Sequence, residues 1–240
     1  MTILLSLWCL FAGALAQPHK VQVYEDEQGF QIRVDGEPTY LFGMNWSYIP
    51  VGENYRYDLF AQDDEIIEKA LTNEMGLMKQ MGVNTIRTFN LIPPKWVEWI
   101  YDNYGIYSMV NPLVGRYGVN VDNQYIPSTP YGDPKIRQVL IDQTMEAVRP
   151  YYNTRGVLMF MLGNEANYGL VWESFEIANL PKGDRQEAKA RQLYSLYGEI
   201  IDQIHAEDDN HLVAIVNGDL QYLDVIREEA PNQDVFSANV

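Results

Sequence analysis

The stretch Met159-Phe160-Met161-Leu162-Gly163-Asn164-Glu165 is an apolar run that ends by delivering an amide and a carboxylic acid side by side. A carboxyl placed where a hydrophobic strand opens into a cleft is partly withdrawn from water. That penalises its ionised form and suits it to give up a proton in a reaction. Glu165 is therefore the candidate general acid, with Asn164 as its hydrogen-bonding neighbour. The same placement, a polar residue closing an apolar run, recurs at Asn45, at Arg87 and Asn90, at Asn111 and at Asn217. Each also has a plainer reading: Glu165 as a turn carboxylate, Arg87 as the partner of a buried acid, Asn164 as a turn residue bonding its own backbone. Asp219 is a further acid near a strand end, but Asp219-Leu220-Gln221 reads more simply as a helix N-cap.

Other chemistries find little support. His19, His205 and His211 are scattered without metal-ligand spacing, so no metal is expected. No Gly-rich phosphate loop and no Ser-centred nucleophile elbow occur. The 33 acidic and 17 basic side chains give a net charge of -16, with no run of Lys or Arg. Such a surface repels phosphate backbones and anionic headgroups, which argues against nucleic acid or a membrane surface as partner.

The elements that must position these residues alternate. Apolar runs at Tyr40 to Trp46, Val83 to Phe89, Ile106 to Val110, Val157 to Leu162, Leu212 to Val216 and Val235 to Val240 read as six strands. Helical spacing separates them at Ile67, Leu71, Met75 and Met78, at Ile136, Leu140, Met145 and Val148, and at Leu193, Leu196, Ile200, Ile201 and Ile204. Shorter helices fit Pro94 to Tyr104 and Asp219 to Glu229. Strands joined by helices imply a parallel sheet with right-handed crossovers, either doubly wound or closed into a barrel. Polar residues at several different strand ends favour the barrel, whose strand ends converge on one mouth. The expected fold is an α/β (β/α)8 TIM barrel over residues 40–240, incomplete at about six of eight strands. A β-hairpin over residues 17–39, alternating around Gln28-Gly29 and Asp35-Gly36, precedes it as a lid or an approach. Residues 1–16 have the shape of a signal peptide cleaved after Ala16, although no Lys or Arg precedes the apolar run; a retained N-terminal anchor is the plainer alternative. Cleavage would leave a secreted or periplasmic protein and remove Cys9, the only cysteine.

Leu162-Gly163-Asn164-Glu165 resembles the acid/base signature of glycoside hydrolase clan A, most closely the TIM-barrel domain of glycoside hydrolase family 2. Val34 to Asn45 resembles that family's entry into its first strand, and Met81 to Thr88 its second. Asp102-Asn103-Tyr104-Gly105-Ile106-Tyr107 resembles the approach to its third. The similarity runs in matching order from about Val21 to the end. The resemblance implies a retaining O-glycosidase acting on a β-linked sugar without a cofactor. In it Glu165 is the general acid/base, Asn164 holds the hydroxyl beside the reacting carbon, and Arg87 braces the nucleophilic carboxylate. The family's nucleophile is a Glu on the seventh strand, expected beyond the C-terminus of this chain, so the chain alone is expected to be inactive. Asn111 departs from the pattern, since related barrels often carry an acid there. Transglycosylation, or carbohydrate binding without catalysis, would use the same residues. Aromatic faces suit the apolar faces of sugar rings, and among the rim aromatics Trp46, Tyr168 and Trp172 are the expected substrate contacts, together with Asn45, Asn90, Asn111 and Asn217. Nothing in the sequence bears on oligomeric state.

Overall fold

The computed structural model describes residues 17–27 and 29–239. The expected signal segment, with Cys9, lies outside the described residues. Strands β1 (Val21–Asp26), β2 (Gly29–Val34) and β3 (Glu37–Pro38) form an antiparallel sheet, one strand more than the expected hairpin. The chain turns from β2 to β3 through Asp35 and Gly36, at φ 53° and 85°. Two positive values in succession make the turn that matches strand twist, and Asp-Gly tolerates them best.

The rest of the chain alternates. It runs through β4 (Gly43–Asn45), α1 (Asp64–Gln80), β5 (Thr85–Arg87), α2 (Pro94–Tyr104), β6 (Tyr107–Val110), β7 (Val119–Val121), β8 (Gln124–Ile126) and α3 (Pro134–Val148). It continues through β9 (Val157–Leu162), α4 (Arg185–Glu207), β10 (Leu212–Asn217), α5 (Leu223–Glu229) and β11 (Val235–Ala238). The main sheet has the order β11-β10-β9-β6-β5-β4, with every pairing parallel. Strand order therefore advances in one direction without the reversal that defines a doubly wound sheet, which leaves the barrel. The sheet holds six of the barrel's eight strands.

Side chains alternate across it. In β10, Val213 and Ile215 pack outward with the helices, while Leu212, Ala214 and Val216 point inward. In β9 the alternation slips once: Leu158 and Met159 both face inward, opposite a register shift between Ser108 and Met109. A bulge there inserts one residue and re-aims the strand, so that Met161 still faces the interior. Val21 and Val34 close this interior cluster from below, and the Val21 amide donates to Asn210 O at 2.7 Å, just before β10 begins. The N-terminal sheet is thus a floor under the barrel and not a lid over its mouth.

The helices form where their apolar spacing buries them: Ile67, Leu71, Met75 and Met78 of α1 are all buried, as are Leu193, Leu196, Ile200, Ile201 and Ile204 of α4. Asp133 caps α3 by accepting from the amides of Lys135 and Ile136. Helix α2 stops at Gly105, whose φ of 65° is the left-handed cap that glycine supplies. Two details differ from the sequence reading. Helix α5 begins at Leu223, four residues after Asp219, and β7 and β8 form a ribbon turning at Asp122-Asn123, both at positive φ.

Candidate active site

Glu165 sits where β9 ends. Gly163 takes a φ of 73°, and a Cβ there would overlap the hydroxyl of the fully buried Tyr197. Only glycine lets the chain turn this close over α4. Glu165 then adopts φ 51° and ψ 37°, a left-handed conformation costing a non-glycine residue about 1 kcal/mol or more. Surrounding bonds hold it there. The Gly163 amide donates to Pro112 O (2.8 Å), Asn111 Nδ2 donates to Met161 O and Gly163 O (2.6 Å each), and Arg116 Nε donates to Asn164 O (3.1 Å). Every peptide oxygen from Gly163 to Glu165 has a donor, the last from the Tyr168 amide.

Arg87, buried at the end of β5, meets this turn from across the mouth. Its Nε and Nη2 donate to Asn111 Oδ1 (3.0 and 2.8 Å), Nη2 also to Asn164 Oδ1 (2.9 Å), and Nη1 to Asn239 Oδ1 (3.3 Å). All of these acceptors are neutral amide oxygens. Burial pulls the guanidinium below its ordinary pKa, while the charge of Glu165 pulls it back up. Asn239 closes the ring, with Nδ2 donating to Asn164 Oδ1 (3.3 Å) and to Glu165 Oε1 (3.0 Å). The structure therefore gathers Glu165, Asn164, Arg87 and Asn111 from three strand ends into one network, and adds Asn239 from a fourth.

The remaining expected contacts divide. Asn45 is exposed on β4, beside a cavity of about 290 Å³ lined by Met44, Arg87, Met109 and Asn239. Asn90 is exposed on the other flank, where it lines a cavity of about 680 Å³ with Tyr55 and Phe89. Tyr168 and Trp172 stand half-exposed after β9. The Tyr168 hydroxyl donates to Gly218 O (2.9 Å), and its pKa is pushed up by burial and by the charges of Asp219 and Glu165. Trp172 is set by Lys189 of α4, whose buried ammonium donates to Trp172 O (2.6 Å) and Ser128 Oγ (2.9 Å). Burial lowers the Lys189 pKa, and Glu176 opposes the shift.

Three residues expected to contact substrate are turned elsewhere. Trp46 is 5% exposed, and its indole donates to Glu74 of α1 (3.3 Å). Asn111 is buried and spends its amide on the Glu165 turn and on Arg87. Asn217 is fully buried, accepting from Tyr194 Oη (2.7 Å) and donating to Asp219 O and Gln221 O (2.9 Å each). Nor is Asp219 a helix cap, since its Oδ1 accepts from Gln221 N and from Asn167 Nδ2. Asn239, Arg116 and Lys189 escaped the sequence reading. Of these only Lys189 carries a signal, being a lysine in the stripe that continues through Leu193, Leu196 and Ile200.

Residues 62–226, more than half of the chain, match the family described as glycosyl hydrolases family 2, TIM barrel domain. The chain belongs to glycosyl hydrolase family 2. A β-galactosidase of Leuconostoc mesenteroides is 23% identical over 168 residues, covering 62% of this chain and 15% of that protein. A β-galactosidase of Arthrobacter sp. is 26% identical over 143 residues, covering 59% and 13%. The family 2 chain thus spans a small part of the length of these relatives. Among solved structures, β-glucuronidases of Parabacteroides merdae and Bacteroides uniformis superpose with TM-scores of 0.57 and 0.60. They are 18% and 15% identical, over 92% of this chain and 22% and 23% of theirs. At that identity the likeness is one of fold.

The family 2 site joins a half-buried carboxyl, held by its backbone in one orientation, to a buried cation whose bonds go to neutral acceptors. Among the described residues no group of three or more His, Cys, Asp or Glu side chains could hold a metal ion.

Proposed function

We propose that this chain carries the acid/base half of a retaining β-glycoside hydrolase. Glu165 gives its proton to the departing glycosidic oxygen as a nucleophilic carboxylate attacks the anomeric carbon. It then takes a proton from the water that releases the sugar. By the family resemblance the nucleophile is a Glu on a seventh strand, about 5 to 5.5 Å from Glu165 in the assembled site. Arg87 keeps that carboxylate ionised, Asn164 holds the neighbouring sugar hydroxyl, and Asn45, Asn90, Tyr168 and Trp172 line the approach. The observation that carries this reading is the network joining Glu165, Asn164 and Arg87 at the C-terminal ends of separate strands. The names of the relatives make β-galactosides and β-glucuronides the first substrates to assay. We also propose export, with cleavage after Ala16, which mass spectrometry of the secreted product would test.

The decisive test is Glu165→Gln in the longest polypeptide that carries this chain, assayed on a panel of aryl β-glycosides. Turnover of the best substrate should fall by about 10²- to 10⁴-fold. Wild-type turnover in the variant would end the proposal, and so would sugar binding without hydrolysis by the parent protein.

A further inference from the structure

We propose that Asn239 is a positioning residue that selects which oxygen of Glu165 carries the transferable proton. This rests on the reading of Glu165 as acid/base. The backbone of Asn239 is fixed by the sheet: its amide donates to Asn217 O (2.9 Å), one step past the last β10–β11 pair, Asn217 with Ala238. Its side chain therefore enters the mouth at a set height, between Arg87 on one side and Glu165 on the other.

A primary amide has two unlike ends, and here only one orientation works. With Oδ1 toward Arg87 Nη1 and Nδ2 toward Glu165 Oε1 and Asn164 Oδ1, every pairing is donor to acceptor. Flipped, it would set oxygen against the carboxyl oxygen and N–H against the guanidinium. Arg87 thereby orients Asn239, and Asn239 orients Glu165. When Glu165 is protonated, its carbonyl oxygen is the better acceptor for Nδ2, which directs the proton to Oε2. The amide also links cation and carboxyl through a neutral group, so Glu165 is oriented without a direct ion pair that would hold it ionised.

Leaving-group dependence separates this role from a merely structural one, because acid assistance matters only when the departing oxygen is a poor leaving group. In the longest polypeptide that carries this chain, Asn239→Ala should lower kcat/KM for a phenyl β-glycoside by about tenfold or more, the equivalent of one hydrogen bond. For the 2,4-dinitrophenyl β-glycoside of the same sugar it should lower kcat/KM by less than about threefold. Asn239→Asp keeps the shape and tests the electrostatics even if the alanine variant loosens the sheet end. A second carboxylate within bonding reach of Glu165 favours its protonated form. The alkaline limb of the pH–kcat/KM profile, where the acid loses its proton, should then move to higher pH. Equal losses on both substrates with an unmoved alkaline limb would overturn the proposal while leaving the acid/base reading intact. If Glu165→Gln leaves hydrolysis of the phenyl glycoside unchanged, it is the underlying reading that fails.

Discussion

Two strand ends in this molecule carry nearly the same letters and do opposite things. After β9 comes Gly163-Asn164-Glu165, and β10 closes on Asn217-Gly218-Asp219. Asn217 is fully buried, with both ends of its amide bonded to Tyr194 and to the loop that follows, and Asp219 accepts from Gln221 N and Asn167 Nδ2. Asn164 and Glu165 stay partly exposed. There the neighbouring backbone is satisfied by Asn111, Arg116 and Pro112, so the side chains need not serve it. An acid becomes available for chemistry when other residues take over the local hydrogen bonding. Residue type alone does not decide it.

Substitutions can break this contrast or sharpen it, all measured in the longest polypeptide that carries the chain. The largest difference is expected between the two acids. Glu165→Gln should cost about 10²- to 10⁴-fold in turnover, whereas Asp219→Asn should change turnover by less than about threefold, the scale of one weakened hydrogen bond. Comparable losses would mean that Asp219 takes part in the chemistry. Next come the two glycines. A Cβ at Gly163 overlaps the hydroxyl of a fully buried tyrosine and must accept positive φ, so Gly163→Ala should destabilise by about 2 to 4 kcal/mol in urea titration. A Cβ at Gly218 meets the half-exposed Tyr168 ring, which can swing outward. Gly218→Ala should therefore be milder in stability and show itself as a raised KM. Asn217→Ala leaves Tyr194 Oη and two carbonyls without their partner, which should lower stability by about 1 to 3 kcal/mol with KM unaltered. The smallest effects compare the tryptophans: Trp172→Ala should raise KM severalfold, and Trp46→Phe should leave KM alone while costing about 1 kcal/mol for the lost bond to Glu74.

The long buried runs were readable because continuous apolar sequence has one good fate in a parallel sheet. Val157 to Leu162 and Leu212 to Val216 fall on β9 and β10 nearly residue for residue. Helix spacing located α1, α3 and α4 for the same reason, and the joining of Arg87 to Asn164 follows from strand ends sharing a mouth. What escaped was the direction and satisfaction of polar groups. Asn239 differs in no visible way from Asn45 or Asn90, and its bond to Glu165 spans 74 positions of sequence. Trp46 looked like a rim aromatic, but its indole has a partner on α1 that only the packed fold brings near. The sequence left the N-terminal strands that form the floor as a lid or an approach, because alternation reveals that a strand has a buried side and is silent on which end of the barrel it covers.

That floor gives the domain a handedness of access. With Val21 and Val34 seated beneath β9 and β10, the start of β1 lies at the pole opposite Glu165. A protein or solid support joined at the N-terminal side would hold the domain upright, with the Glu165 carboxyl facing outward at the opposite pole.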